Sequence, residues 1–78
     1  MVEREYILVQ TMVGRPNTVV QDLRGLEGVQ EAVPVSGQYD LVLHVEHHST
    51  GALAKQIDEH PAVARTVRCG VAGSGSTT

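Results

Sequence analysis

Aromatic side chains are almost missing from this chain: it has two tyrosines, no tryptophan and no phenylalanine. Gripping unstacked bases takes several such rings, so binding of single-stranded nucleic acid is not expected. Positive charge is scarce too. Six Lys and Arg stand against nine Asp and Glu, a formal charge of −3, and the basic residues are scattered rather than bunched. Neutralising phosphates needs clustered cations, so no direct nucleic-acid partner is expected. The one cysteine, Cys69, excludes an internal disulfide and fits a reducing compartment. No basic-then-apolar leader opens the sequence, and no apolar run approaches the roughly 18 residues of a membrane span. The expectation is a soluble cytoplasmic chain with no membrane partner.

What is present is aliphatic. With 78 residues, 41% of them hydrophobic, the chain has material for one domain and a small core of Val, Leu, Ala and Ile. Alternation predicts a first strand over Glu5 to Met12, with Tyr6, Leu8 and Met12 on one face and Ile7, Val9 and Thr11 on the other. Gly14, Pro16 and Asn17 punctuate it. From about Asn17 the period becomes helical, with Val19, Val20, Leu23 and Leu26 making one stripe and Gly28 ending it. Val29 to Ser36 reads as a second strand with Val29, Val33 and Val35 on one face. Pro34 removes a ladder donor and so fits an edge strand or a bulge, not the centre of a sheet.

Ser36-Gly37-Gln38 turns the chain into a third strand, Tyr39 to His47. Its Leu41, Leu43 and Val45 point one way; Val42, flanked by Asp40 and His44, points the other. Ser49 or Thr50 can cap a second helix with a buried stripe of Leu53, Ala54 and Ile57, stopped at His60-Pro61. In a last strand, Val63 to about Val71, Val63, Val67, Cys69 and Val71 alternate against Ala64, Thr66, Arg68 and Gly70. The domain is expected to span 1–72, and the small polar stretch 73–78 to be a disordered tail.

The order strand, helix, strand, strand, helix, strand carries an internal echo. Gly28 to Val33 and Ala62 to Val67 align at an offset of 34, each at a helix-to-strand junction. Two copies of a half-motif give an α+β, ferredoxin-like βαββαβ fold, a four-stranded antiparallel sheet with both helices on one face. Right-handed crossovers place the first and third strands centrally. Those central strands are apolar on both faces, so the side without helices is expected to meet a second copy, making a dimeric α+β barrel.

Few residues suggest chemistry. His44, Glu46, His47, His48 and His60 do not converge as zinc ligands must, and no metal or other cofactor is expected. No nucleophile-base pair, phosphate loop or paired helix carboxylates stand out. The turn Gly37-Gln38-Tyr39-Asp40 does have chemical shape. Glycine lets backbone amides approach a carboxylate, and Asp40 can accept from an ammonium group, which together suit a free amino acid. The same residues also suit a plain hairpin turn.

The span from Tyr6 to Val71 resembles the regulatory (RAM) domain of the Lrp/AsnC, or feast/famine, transcription regulators. The resemblance is carried by Tyr6-Ile7-Leu8-Val9, Gly14, Leu26-Glu27-Gly28-Val29, Val33 through Leu41, and His60 through Thr66. It implies a non-catalytic module that senses an amino acid and controls oligomerisation. Protomers would pair through their sheets, and the dimers would join into rings, octamers or decamers, with the effector between dimers. Ser36, Gly37, Gln38, Tyr39 and Asp40 would hold the effector, with Thr66 contributing from the last strand. The family's N-terminal helix-turn-helix has no counterpart here, so a stand-alone version or a fragment is expected, the stand-alone form being favoured. Such a form would sense alone or co-assemble with full-length relatives. Two alternatives remain: a small dimeric α+β barrel enzyme of monooxygenase or isomerase type using His44 in a cleft between sheet and helices, and an ACT-like amino-acid-binding domain.

Overall fold

The structure is a computed structural model and describes residues 2–12 and 16–70. The first turn at Gly14, the end of the last strand at Val71 and the tail 73–78 lie outside the described residues. The elements are β1 (Glu3–Thr11), α1 (Pro16–Arg24), β2 (Val29–Pro34), β3 (Leu41–His47), α2 (Thr50–Asp58) and β4 (Val63–Gly70). They form one antiparallel sheet in the order β2-β3-β1-β4. The apolar central strands β1 and β3 are therefore flanked on both sides. Pro34 ends the edge strand β2, where its missing N–H leaves no central ladder broken.

Alternation builds the core. Ile7 and Val9 of β1 and Leu41, Leu43 and Val45 of β3 are wholly buried, each set two residues apart. They pack against Val19, Val20 and Leu23 of α1 and Leu53, Ala54 and Ile57 of α2. Burial of these stripes, rather than intrinsic preference, holds α1 together, because paired valines are poor helix formers. Ser49 caps α2, its side chain accepting from the Ala52 amide.

Two expectations of facing are corrected by bulges. Val29 pairs with Val45 and Glu31 with His44, so Gln30 is an extra residue in β2. Val29 consequently packs on the core, while Val33 lies on the opposite face, 45% exposed. Likewise Thr11 pairs with Val63 but Gln10 with Arg65, which makes Ala64 the extra residue in β4. Val63 turns inward, and Val67 and Cys69 turn outward.

The offset of 34 is real in three dimensions. Gln30 and Ala64 are 34 apart, and the flanking hydrogen bonds repeat at the same interval. The Val29 amide donates to the Leu26 carbonyl and Val63 to His60; Glu46 donates to the Gly28 carbonyl and Met12 to Ala62. The two βαβ halves are built alike.

The end of α1 differs from expectation. The helix stops at Arg24, and the Gly25 and Leu26 amides donate to Asp22 and Leu23 in a tightened last turn. Gly28 serves the junction instead. Its φ is +100°, and a Cβ there would lie 2.9 Å from His47 Cδ2, 3.0 Å from Leu53 Cδ2 and 3.1 Å from the Glu46 carbonyl oxygen. Glycine is required twice over, by conformation and by space.

Candidate functional site

Side chains opposite one another in an antiparallel ladder share a face, so the registers map the side of the sheet away from the helices. Val33, Val42, Leu8 and Val67 make one apolar row across all four strands. Beside it run Glu31, His44, Tyr6 and Cys69, with the Tyr6 and His44 rings stacked at 5.2 Å. Arg4 and Glu46 pair at 3.3 Å beyond them. Tyr6 and Val33 are 41% and 45% exposed, large apolar groups left in water by a single protomer.

At the other end of this face lies the β2–β3 turn. It is closed by the Val35 amide donating to the Asp40 carbonyl (2.9 Å) and tied to β1 by the Asp40 amide donating to Val9 (2.9 Å). Gly37 has φ +135° and nothing within 4 Å of where a Cβ would stand. The turn therefore needs glycine for its conformation, and the room beside that backbone is open.

Asp40 is a ladder element as well as a charge. Its Oδ2 accepts from the Thr11 amide (2.7 Å) and the Thr11 hydroxyl (2.8 Å). The carboxylate replaces the strand carbonyl that the turn has led away, and satisfies a Thr11 that is only 6% exposed. A charged acceptor makes both bonds strong.

Of the six residues expected to bind, Ser36, Gly37, Gln38, Tyr39 and Asp40 are contiguous in the turn and its exit. Thr66 is elsewhere within the protomer. It opposes Val9 on the helix side of β4, and its hydroxyl donates to Asp58 Oδ1 at 3.4 Å. Two residues not singled out by sequence do meet the turn. Gln10 Nε2 donates to the Gln38 carbonyl (3.4 Å), and the Arg65 guanidinium stands 5.9 Å from the Tyr39 ring centroid. Strand alternation already put Gln10 on the face of Tyr6 and Leu8. Arg65 gave no such signal, because the bulge at Ala64 resets the parity of β4.

A second polar cluster lies across the sheet from the turn. Arg68 grips Glu5 with two bonds, Nε to Oε1 at 2.8 Å and Nη2 to Oε2 at 2.6 Å. The buried Thr50 hydroxyl lies 2.9 Å from Glu5 Oε2 and 2.8 Å from Glu3 Oε1, which also accepts from the Thr50 amide. Hydrogen bonding to Arg68 holds the Glu5 carboxyl below its ordinary range, and the bonds from Thr50 do the same for Glu3. The Glu5 carboxylate in turn raises the Arg68 guanidinium. The cluster fastens β1 and β4 to the first turn of α2, where its helix dipole favours negative charge.

The histidines are spread out. His60 Nδ1 accepts from the Ala62 amide at 3.0 Å, so Nε2 carries the proton that bonds Asp22 at 2.8 Å, tying α1 to the α2–β4 loop. His47 Nδ1 accepts from the Ser49 amide at 3.0 Å. His44 sits on the open face with Tyr6, not between sheet and helices as the enzyme alternative requires. Among the described residues, no three His, Cys, Asp or Glu side chains converge as a metal site, and no helix is long and apolar enough to cross a membrane.

The family model for the Lrp/AsnC ligand-binding domain matches residues 6–69, from β1 through β4. The chain belongs to that family. FFRP-DM1 is 32% identical, with a TM-score of 0.72 over 87% of this chain and 95% of its own. PHS023 from Pyrococcus horikoshii is also 32% identical, with a TM-score of 0.71 over 87% of this chain and 86% of its own. TTHA0845 from Thermus thermophilus is 25% identical, with a TM-score of 0.74 over 87% of this chain and 89% of its own. No curated protein matches the chain significantly in sequence. This Lrp/AsnC domain thus has the ferredoxin-like βαββαβ architecture and is a regulatory ligand-binding domain of a transcription-regulator family, a class that typically performs no catalysis.

Proposed function

We propose that this Lrp/AsnC domain is a non-catalytic amino-acid sensor that works by assembly. Two copies pair through their open sheet faces, dimers join into a ring of eight or ten, and a free amino acid is held at the seam beside the β2–β3 turn. Mixed assembly with full-length relatives follows the same surfaces. The observation that carries this reading is the row Val33, Val42, Leu8 and Val67, an apolar stripe spanning the sheet on its helix-free side and leading to the turn. Pairing would remove that row from water, at about 25 cal/mol for each Å² of apolar surface covered.

The turn supports binding rather than reaction. Gly37 leaves its backbone approachable, and Asp40 adds a carboxylate whose Oδ2 is fixed by Thr11, a stationary partner for an ammonium group. A ligand at a seam between subunits couples to oligomeric state because it favours the assembled form over the separated one. Thermal melting with each of the twenty amino acids, run beside a sizing measurement, tests the proposal. At 100 times its dissociation constant the effector should stabilise the protein by roughly 2.7 kcal/mol and shift the assembly. Asp40→Asn should lose that stabilisation. A panel in which no amino acid moves either the melting temperature or the size would refute it.

A further inference from the structure

We infer that Arg65, on the edge strand β4, is the residue that takes the carboxylate of the bound amino acid. The inference rests on the amino-acid-sensing reading and names the specificity residue of that same site. Arg4 pairs with Glu46, Arg24 Nη2 donates to the Ala32 carbonyl at 3.0 Å, and Arg68 grips Glu5. Arg65 instead faces the ring of Tyr39. Contact with a ring uses the cation's charge but none of the five N–H donors in the guanidinium plane, and among the described residues no side-chain hydrogen bond or ion pair takes them up, which suits a planar, bidentate partner such as a carboxylate.

Placement gives the complement. Arg65 opposes Gln10 across the β1–β4 ladder, and Gln10 in turn reaches the Gln38 carbonyl of the turn. Asp40 lies on the other flank of the same end of β1, its amide on Val9 and its carboxylate on Thr11. A negative group and a positive group thus stand on either side of Gln10, with Tyr39 leaning across to the positive one. An α-amino acid presents the matching pair, an ammonium for Asp40 and a carboxylate for Arg65. The amides of Gly37 to Tyr39 then need only shape the floor.

The experiment compares each stabilising L-amino acid with its carboxamide, which keeps the ammonium and side chain but removes the negative charge. Dissociation constants are measured by calorimetry for the wild type, Arg65→Gln and Arg65→Lys. The wild type should prefer the acid over the amide by roughly tenfold or more, the scale of a hydrogen bond to a charged group. Arg65→Gln should bind acid and amide alike, while Arg65→Lys should keep part of the preference. An amino acid that binds the wild type with no preference over its amide, or a preference that survives in Arg65→Gln, overturns the assignment. The wild-type comparison needs no variant, so it holds even if a substitution disturbs folding. If no amino acid binds at all, the sensing reading itself fails, and the role of Arg65 with it.

Discussion

Asp40 and Thr11 are joined by two hydrogen bonds to a single carboxylate oxygen, 2.7 Å from the Thr11 amide and 2.8 Å from its hydroxyl. The bond to the amide occupies the place where β3 would have offered a carbonyl had it continued. Asp40→Ala strands a buried N–H and a buried hydroxyl, and should cost about 1–3 kcal/mol of stability. Asp40→Asn keeps an oxygen for the amide and should cost less. Urea unfolding of the two variants separates this structural role from any role in binding.

Gly28 and Gly37 both hold positive φ, but only Gly28 is hemmed in. Gly37→Ala should cost about 1–3 kcal/mol for the strained backbone alone. Gly28→Ala should cost more, because its new methyl also meets His47, Leu53 and the Glu46 carbonyl. The check is the ordering of their denaturation midpoints.

Glu5 predicts an acid limb. Its carboxyl is held below the ordinary value of 4.5 by Arg68, so the folded state binds its proton less readily than the unfolded chain. The resulting stabilisation is fully present above pH 4.5 and disappears as pH falls through the lower folded value. Wild type should therefore melt above Glu5→Gln at pH 7, and the gap should narrow below pH 4.5 and close in stronger acid. Melting curves from pH 2 to 7 read this directly.

Much of the fold was legible because period two and period 3.6 are written in apolar residues. Leu41, Leu43 and Val45 against Asp40 and His44 mark the core side of β3, whereas β1 is apolar on both faces, and its register with β3 decides that Ile7 and Val9 join the core. The misreadings of facing have one physical origin. A bulge adds a residue without any mark in composition, so Gln30 and Ala64 silently reversed Val29 and Val63 relative to the strands they begin. The same reversal hid Arg65, while Thr66, carried over by resemblance alone, faces the helices. At the end of α1 the apolar stripe ran on to Leu26 and the stop was read at Gly28, whereas the helix ends at Arg24 and Gly28 lets β3 and α2 approach. The turn was visible in Gly37 and Asp40; that Asp40 also completes the ladder depends on where β1 ends.

The open face is the claim on which sensing, assembly and the seam all depend. Val42 and Leu8 stand side by side at the middle of its apolar row, where a two-fold axis would bring them against their own copies. The most direct test is the solution mass, by sedimentation equilibrium at micromolar concentration, of wild type and Val42→Glu. Wild type is expected to hold at least two chains per particle and the variant to be a single folded chain, since a carboxylate buried there would lack a partner. A wild-type protein that sediments as one chain, or a Val42→Glu protein whose mass is unchanged, would contradict it.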